Sequence, residues 1–168
     1  MSTTTTAKEK HQRRWQEIVA DPLLGDLPHK IETNHRGQIV LSPCRFSHSQ
    51  LQRAIQKKLD TVMAGGEVFP ECPIATAKGV RQADVAWASK SRVREMEDAG
   101  DPPTVALEIC IEVMSESNDW DEMEEKRGLH REAGAKEVWV VTEEGGVHFF
   151  GEGKLEKSAV AEGFPDTL

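Results

Sequence analysis

A mixed α/β (α+β) domain is what this sequence predicts, and three patterns predict it. Leu51, Ala54, Ile55, Leu59, Val62 and Met63 recur at three- and four-residue steps, which marks one apolar face of a helix. Val105 to Met114 and Glu137 to Thr142 are short apolar runs, and the polar stretch between them has helix-capping residues at Asn118 and Gly134. A strand–helix–strand unit of this length makes its two strands parallel neighbours with a right-handed crossover. Further β-prone runs bounded by Gly and Pro complete a mixed central sheet. The order is helix, strand, strand, strand, helix, strand, preceded by an N-terminal helix and a β-hairpin.

Taken in order, residues 1–10 (Met-Ser-Thr-Thr-Thr-Thr onward) lack periodicity and read as a disordered tail. The remainder, 11–168, has the length of a single domain with a sizeable core. His11 to Ala20 is a short helix with Trp15, Ile18 and Val19 on one side, ended by Asp21-Pro22. Lys30-Ile-Glu-Thr-Asn and Gln38-Ile-Val-Leu-Ser flank His35-Arg36-Gly37 as a hairpin. The first long helix spans Ser47 to Ala64; Ser47 with Gln50 has the form of a capping box, and Gly65-Gly66 ends it. Glu67 to Ala75 is a strand that Pro70 and Pro73 make either irregular or an edge strand, and Val80 to Ala88 is the next. Ser89 to Pro103 is mostly loop with room for a short helix. After the strand–helix–strand unit, Val147 to Phe150 pairs back across Gly145-Gly146, and 151–168 forms a loosely packed tail.

Composition narrows the function classes. Cys44, Cys72 and Cys110 are isolated, with no Cys-x-x-Cys pair, so a zinc cluster is disfavoured and a cytoplasmic protein with reduced thiols fits. No signal-like N-terminus and no apolar run of membrane-spanning length is present, which predicts no membrane partner. No Gly-x-Ser-x-Gly or P-loop pattern occurs, and the six His show no His-x-x-x-His pair. The formal net charge of −8 works against nucleic-acid binding, although a local basic strip can coexist with an acidic whole.

The residues that could carry chemistry are acids in the wrong place. Asp84 lies mid-strand in Gln82-Ala-Asp-Val-Ala-Trp87, where Asp is disfavoured; a solvent-facing edge position is the bland reading. Glu112 ends the most apolar strand, where a carboxylate is costly unless paired or holding a cation. Glu108 shares its strand face and is a candidate for site lining or a strand-start residue in solvent. Met123, Lys126 and His130 follow helical steps, so Lys126 lies near the apolar side, either aimed at an anion or paired with Glu122. An Asp and a Glu on adjacent strands supply hard oxygen ligands suited to Mg²⁺ or Mn²⁺. With a nearby Lys to orient or deprotonate water, they are equipment for metal-assisted phosphodiester hydrolysis.

In ordered combination these stretches resemble the Uma-two family of restriction-endonuclease-like proteins, within the PD-(D/E)XK nuclease superfamily. The residues that carry the likeness are Lys30-Ile-Glu-Thr-Asn with Gly37-Gln-Ile-Val-Leu-Ser-Pro43, His48 to Leu59, Val80 to Ser89, Ile109 to Ser115, and Lys126 through Val141. The resemblance implies a restriction-endonuclease-like core, with Asp84, Glu112 and the Val113 carbonyl holding Mg²⁺ (or Mn²⁺) and DNA as substrate. The superfamily's Lys two residues after the Glu is replaced by Met114, and the resemblance moves that role to Lys126 on the following helix. Ala83 stands where the pattern has its Pro. His48, Gln52 and Glu71 match family positions and are candidates for lining the site. The resemblance leaves open a catalytically silent member that binds nucleic acid or protein, a smaller phosphodiester as substrate, and a homodimer formed through a hairpin or sheet edge.

Overall fold

In chain order the elements are α1 (Ala7–Ala20), β1 (Lys30–Thr33), β2 (Ile39–Ser42), α2 (Phe46–Val62), β3 (Gly66–Thr76), β4 (Gly79–Ser89), α3 (Lys90–Asp98), β5 (Ile109–Val113), α4 (Trp120–Glu132), β6 (Glu137–Val141), β7 (Val147–Phe150) and β8 (Lys154–Leu155). They are those of a computed structural model that describes residues 4–25, 27 and 30–168. The main sheet runs β3-β4-β5-β6-β7-β8, and β1-β2 is a separate hairpin. Among the described residues only β5 and β6 are parallel, joined by α4; the other pairs are antiparallel. The sheet is therefore mixed, and β3, with its two prolines, lies at its edge as expected.

Side-chain alternation gives the sheet two buried faces. Val85, Trp87, Ile109, Ile111, Trp139 and Val141 pack with Ile55 and Leu59 of α2. Ala86, Ala88, Cys110 and Val138 point the other way, packing with Met96 of α3 and Ala133 after α4. Ala86 and Ala88 of β4 and Cys110 of β5 thus face α3 and the end of α4, and Asp84 and Glu112 share their parity. Trp15 and Ile18 of α1 form a third cluster with Ala75 and Val80, against which Ile31 and Ile39 of the hairpin pack. The hairpin lies hard against the start of β4: a Cβ at Gly79 (φ +110°) would meet the Thr33 carbonyl oxygen at 2.0 Å. Val80 N–H donates to Thr33 Oγ1 at 2.8 Å, and Gln82 N–H to Glu32 Oε2 at 2.8 Å. This clamp sets β1, and so Lys30, beside Asp84.

Several boundaries differ from expectation. The tail expected over 1–10 is helical from Ala7, because Thr6 and Glu9 form a capping box; residues 1–3 lie outside the described residues. Helix α2 starts one residue early, so Ser47 is past the cap position, and Arg45 at the cap pairs with Glu116 at 2.9 Å instead. The strand expected over 105–114 shortens to Ile109–Val113. Its first residues spend their backbone bonds on the α4–β6 connection, with Ala106 N–H donating to Ala133 O and Glu108 O accepting from Lys136 and Glu137. The cap of α4 is Asp119, while Asn118 closes the preceding turn by accepting from Ser115 N–H and Oγ. The loop over 89–103 contains α3, capped by Ser89.

The C-terminal segment is not loose. Glu137, 2% exposed, accepts from Trp139 Nε1, Ser158 Oγ and the backbone N–H groups of Ala159 and Val160. Phe164 packs on Trp139 with ring centroids 4.6 Å apart. A buried carboxylate is stable only when its lone pairs are filled, and the final residues fill them.

Candidate active site

Three elements deliver the site. The β4–β5 ladder ends at the pair Val85–Ile111. One step further, the Val113 N–H bonds to Asp84 Oδ2 at 2.7 Å rather than to backbone. Asp84 thus substitutes for a ladder partner, which explains why an Asp is tolerated mid-strand at 2% exposure. Glu112, 1% exposed, is anchored similarly: its Oε1 lies 3.0 Å from His130 Nε2 on α4. Lys126 and His130 are one helical turn apart and share a face, so both reach Glu112. Lys126 Nζ is 3.8 Å from Glu112 Oε2, 3.6 Å from Glu122 and 4.0 Å from Glu32.

The remaining oxygens of the two acids converge on one cation, Lys30. Its Nζ lies 2.9 Å from Asp84 Oδ1 and 3.8 Å from Glu112 Oε2. The sum of those distances is the greatest separation the two oxygens can have. His48 Nε2 also approaches Asp84 Oδ1, at 3.3 Å. A cleft of about 480 Å³ opens over the group, lined by Lys30, His48, Glu71, Asp84, Asn118 and Lys126 among others.

Burial alone would raise the pKa of Glu112, but Lys30, Lys126 and His130 overcome it and hold the carboxyl well below its ordinary range. Burial opposes charge on Lys30, yet Glu112, Asp84 and Glu32 hold its ammonium well above the ordinary lysine value. Glu112 likewise raises Lys126 against burial. A lysine held this firmly as ammonium donates hydrogen bonds and offsets negative charge; it is a poor proton acceptor.

Residues 9–166 match the Uma2 family model, described as "Putative restriction endonuclease". The chain belongs to the Uma2 family. The crystal structure of a "putative nuclease belonging to DUF820" from Anabaena variabilis is similar, with a TM-score of 0.61 at 17% identity, covering 79% of this chain and 77% of that one. At that identity the likeness establishes the restriction-endonuclease-like fold. No curated protein matches the sequence.

In this Uma2 chain the structure brings together Asp84, Glu112, Lys126 and His48. Gln52 reaches Asp84 through the backbone, its Nε2 donating to Asp84 O at 3.2 Å. Glu71 lies on the cleft wall, where the β3–β4 register sets it across from Asp84 between Pro70–Val85 and Cys72–Ala83. Its φ of +47° is in the left-handed region, costly for a residue with a Cβ. Val113 contacts Asp84 through its N–H. Glu108 is not brought into the group: it accepts from Ser89 N–H and Oγ at 2.7 Å, closing the β4–α3 junction. Lys30, Glu32 and His130 are the residues that sequence reasoning did not assign to the site. All three carry a spacing signal, since Lys30 and Glu32 alternate onto one strand face and His130 follows Lys126 by four.

Two anchored carboxylates, each with one oxygen turned to the Lys30 ammonium, form a donor set that fits Mg²⁺ or Mn²⁺. Among the described residues no cluster of three His, Cys, Asp or Glu is poised for a metal. Mg²⁺ commonly binds through one or two carboxylates, keeping waters or phosphate oxygens elsewhere, so two acids suffice.

Proposed function

We propose that this Uma2 protein is a Mg²⁺- or Mn²⁺-dependent endonuclease that hydrolyses DNA phosphodiester bonds. The observation that carries the reading is the convergence of Asp84, Glu112 and Lys126, with Asp84 and Lys126 lining one cleft and Glu112 buried against Lys126. Asp84 Oδ1 and Glu112 Oε2 would hold the ion, with the Val113 carbonyl as a further ligand. The ion would supply Lewis acidity toward the scissile phosphate and a more acidic water. The Val113 N–H and His130 keep the two carboxylates turned toward the cleft. Lys126, held as an ammonium, orients the attacking water or offsets charge that develops on the phosphate. Lys30 now holds the position between the two acids and would have to yield it to an ion, leaving its ammonium available to offset phosphate charge. The unpaired thiols accord with a cytoplasmic setting.

The second reading is a catalytically silent member that binds nucleic acid or protein. It is favoured by Lys30, which already neutralises both acids. Incubation of supercoiled plasmid with the protein in Mg²⁺ or Mn²⁺, beside Asp84→Ala and Lys126→Ala, separates the two. Nicking or linearisation by the wild type, lost in Asp84→Ala and cut by roughly 10²-fold or more in Lys126→Ala, supports the nuclease. Cleavage that survives in Asp84→Ala, or no cleavage by the wild type, refutes it.

A further inference from the structure

The chain is acidic, with a formal net charge of −8, yet one of its cavities is lined only by basic and neutral side chains. It lies between the first turns of α1 and the β1–β2 turn, and holds about 420 Å³. Lys10, His11 and Arg14 line it from α1, and His35 and Arg36 from the hairpin; Gly37 and Ala77 complete the wall. No Asp or Glu lines it. Arg14 is fixed by donating from Nε to Gly37 O at 2.9 Å, and its other end meets Glu17 at 3.3 Å on the surface. His11 is 8% exposed and charge on it is disfavoured, by burial first and then by Arg81 and His35. Lys10, Arg14 and Arg36 bring fixed positive charge to a wall that carries no carboxylate, a site that gains from an incoming oxyanion. The N-terminus of a 14-residue helix adds its partial positive charge to the same wall.

The hairpin ties this pocket to the catalytic cleft. Lys30, at the start of β1, sits in the cleft, and the turn beyond Thr33 carries His35 and Arg36. Four residues of strand with the entry to the turn span roughly 13–17 Å at about 3.3 Å per residue. At about 3.4 Å of axis per phosphate on one strand, that is roughly four to five phosphates along a duplex.

We infer that the pocket formed by Lys10, His11, Arg14, His35 and Arg36 is a second, non-catalytic site that grips a backbone phosphate of the nucleic-acid substrate a few nucleotides from the scissile bond. The inference rests on the nuclease reading for its substrate class. It removes the objection posed by the acidic net charge, because the basic strip is assembled from residues far apart in the sequence. Lys10, His35 and Arg36 are exposed, so their replacement leaves the core intact.

The test is fluorescence anisotropy of a labelled duplex with wild type and the Lys10→Gln/Arg36→Gln double variant, in EDTA to prevent cleavage, across a salt series. Loss of the contact to that phosphate lowers the slope of log K against log salt by about 1 in magnitude and weakens binding roughly ten-fold near 0.1 M salt. Equal slope and affinity in the two proteins overturns the inference. Inorganic pyrophosphate is titrated in parallel by calorimetry: tight, Arg36-dependent pyrophosphate binding with an unchanged duplex slope shows a free-phosphate site and also overturns it. Plasmid cleavage in Mg²⁺ keeps the two proposals apart. A wild type that binds duplex through these residues but never cleaves refutes the nuclease reading alone. A wild type that cleaves while the double variant binds normally refutes the pocket alone.

Discussion

Lys30→Met tests the electrostatic account of the site most severely. The substitution keeps an unbranched apolar stem but removes the ammonium 2.9 Å from Asp84 and 3.8 Å from Glu112. Both acids are nearly fully buried, at 2% and 1% exposure. Removing one partner of a buried ion pair typically costs about 3–5 kcal/mol, because the charge left behind is uncompensated. Lys126 and His130 still serve Glu112, so the loss falls mainly on Asp84 and the lower end of that range is expected. For a domain of this length about 1 kcal/mol shifts Tm by roughly 2–4 °C, so the melting temperature in EDTA falls by about 6–12 °C. A divalent ion binding between the two acids replaces the missing charge. Mn²⁺ should therefore raise the Tm of Lys30→Met more than that of wild type, where Lys30 competes for the same position; about 100-fold excess over Kd stabilises by roughly 2.7 kcal/mol. Thermal unfolding with and without Mn²⁺ measures both effects. An equal loss in EDTA and Mn²⁺, or no loss at all, refutes the assignment of Lys30 to the cation position.

Three further outcomes follow from the same contacts. His130→Leu frees Glu112 Oε1, and calorimetry should show divalent-ion affinity weaker by roughly 10–100-fold, the usual cost of losing an outer-shell partner. Glu108→Ala removes two bonds at Ser89 and should cost about 1–3 kcal/mol in urea unfolding while leaving metal affinity unchanged, which separates Glu108 from Glu112. Stability should peak across a broad neutral window. The folded pKa of Glu112 is lowered, so its contribution is present above its unfolded value of about 4.3 and is lost as the pH falls toward the folded one. The folded pKa of Lys30 is raised, so its contribution is present below its unfolded value of about 10.4 and is lost as the pH rises toward the folded one. Tm measured against pH checks both limbs, and Glu112→Gln should flatten the acid limb.

Much of this was legible in the sequence, where short-range patterns govern. Hydrophobic period placed α2, two apolar runs around a polar stretch with capping residues placed the β5–α4–β6 unit, and the misfit of Asp84 and Glu112 in apolar strands marked them as candidates. What stayed hidden depends on contacts between distant segments. Lys30 is 54 positions from Asp84, and only the docking of the hairpin on β4 through Thr33, Glu32 and Gly79 brings them together. Glu108 lies outside the group, as a strand-start residue would, but it is buried rather than in solvent, because β5 begins only at Ile109 and its carboxylate closes the β4–α3 junction. The segment 151–168 looked loose because its anchor, Glu137, lies on another strand and binds it through its own lone pairs. The basic pocket was invisible for the same reason: its cations come from a helix and a turn that composition averages into a net charge of −8.

The most direct measurement is anomalous diffraction from crystals soaked in Mn²⁺ at a concentration that supports cleavage. One strong peak is expected within about 2.0–2.6 Å of both Asp84 and Glu112 carboxylate oxygens, with the Lys30 ammonium displaced from between them. A Mn²⁺ peak elsewhere, with Lys30 still bridging the two acids, would contradict that expectation.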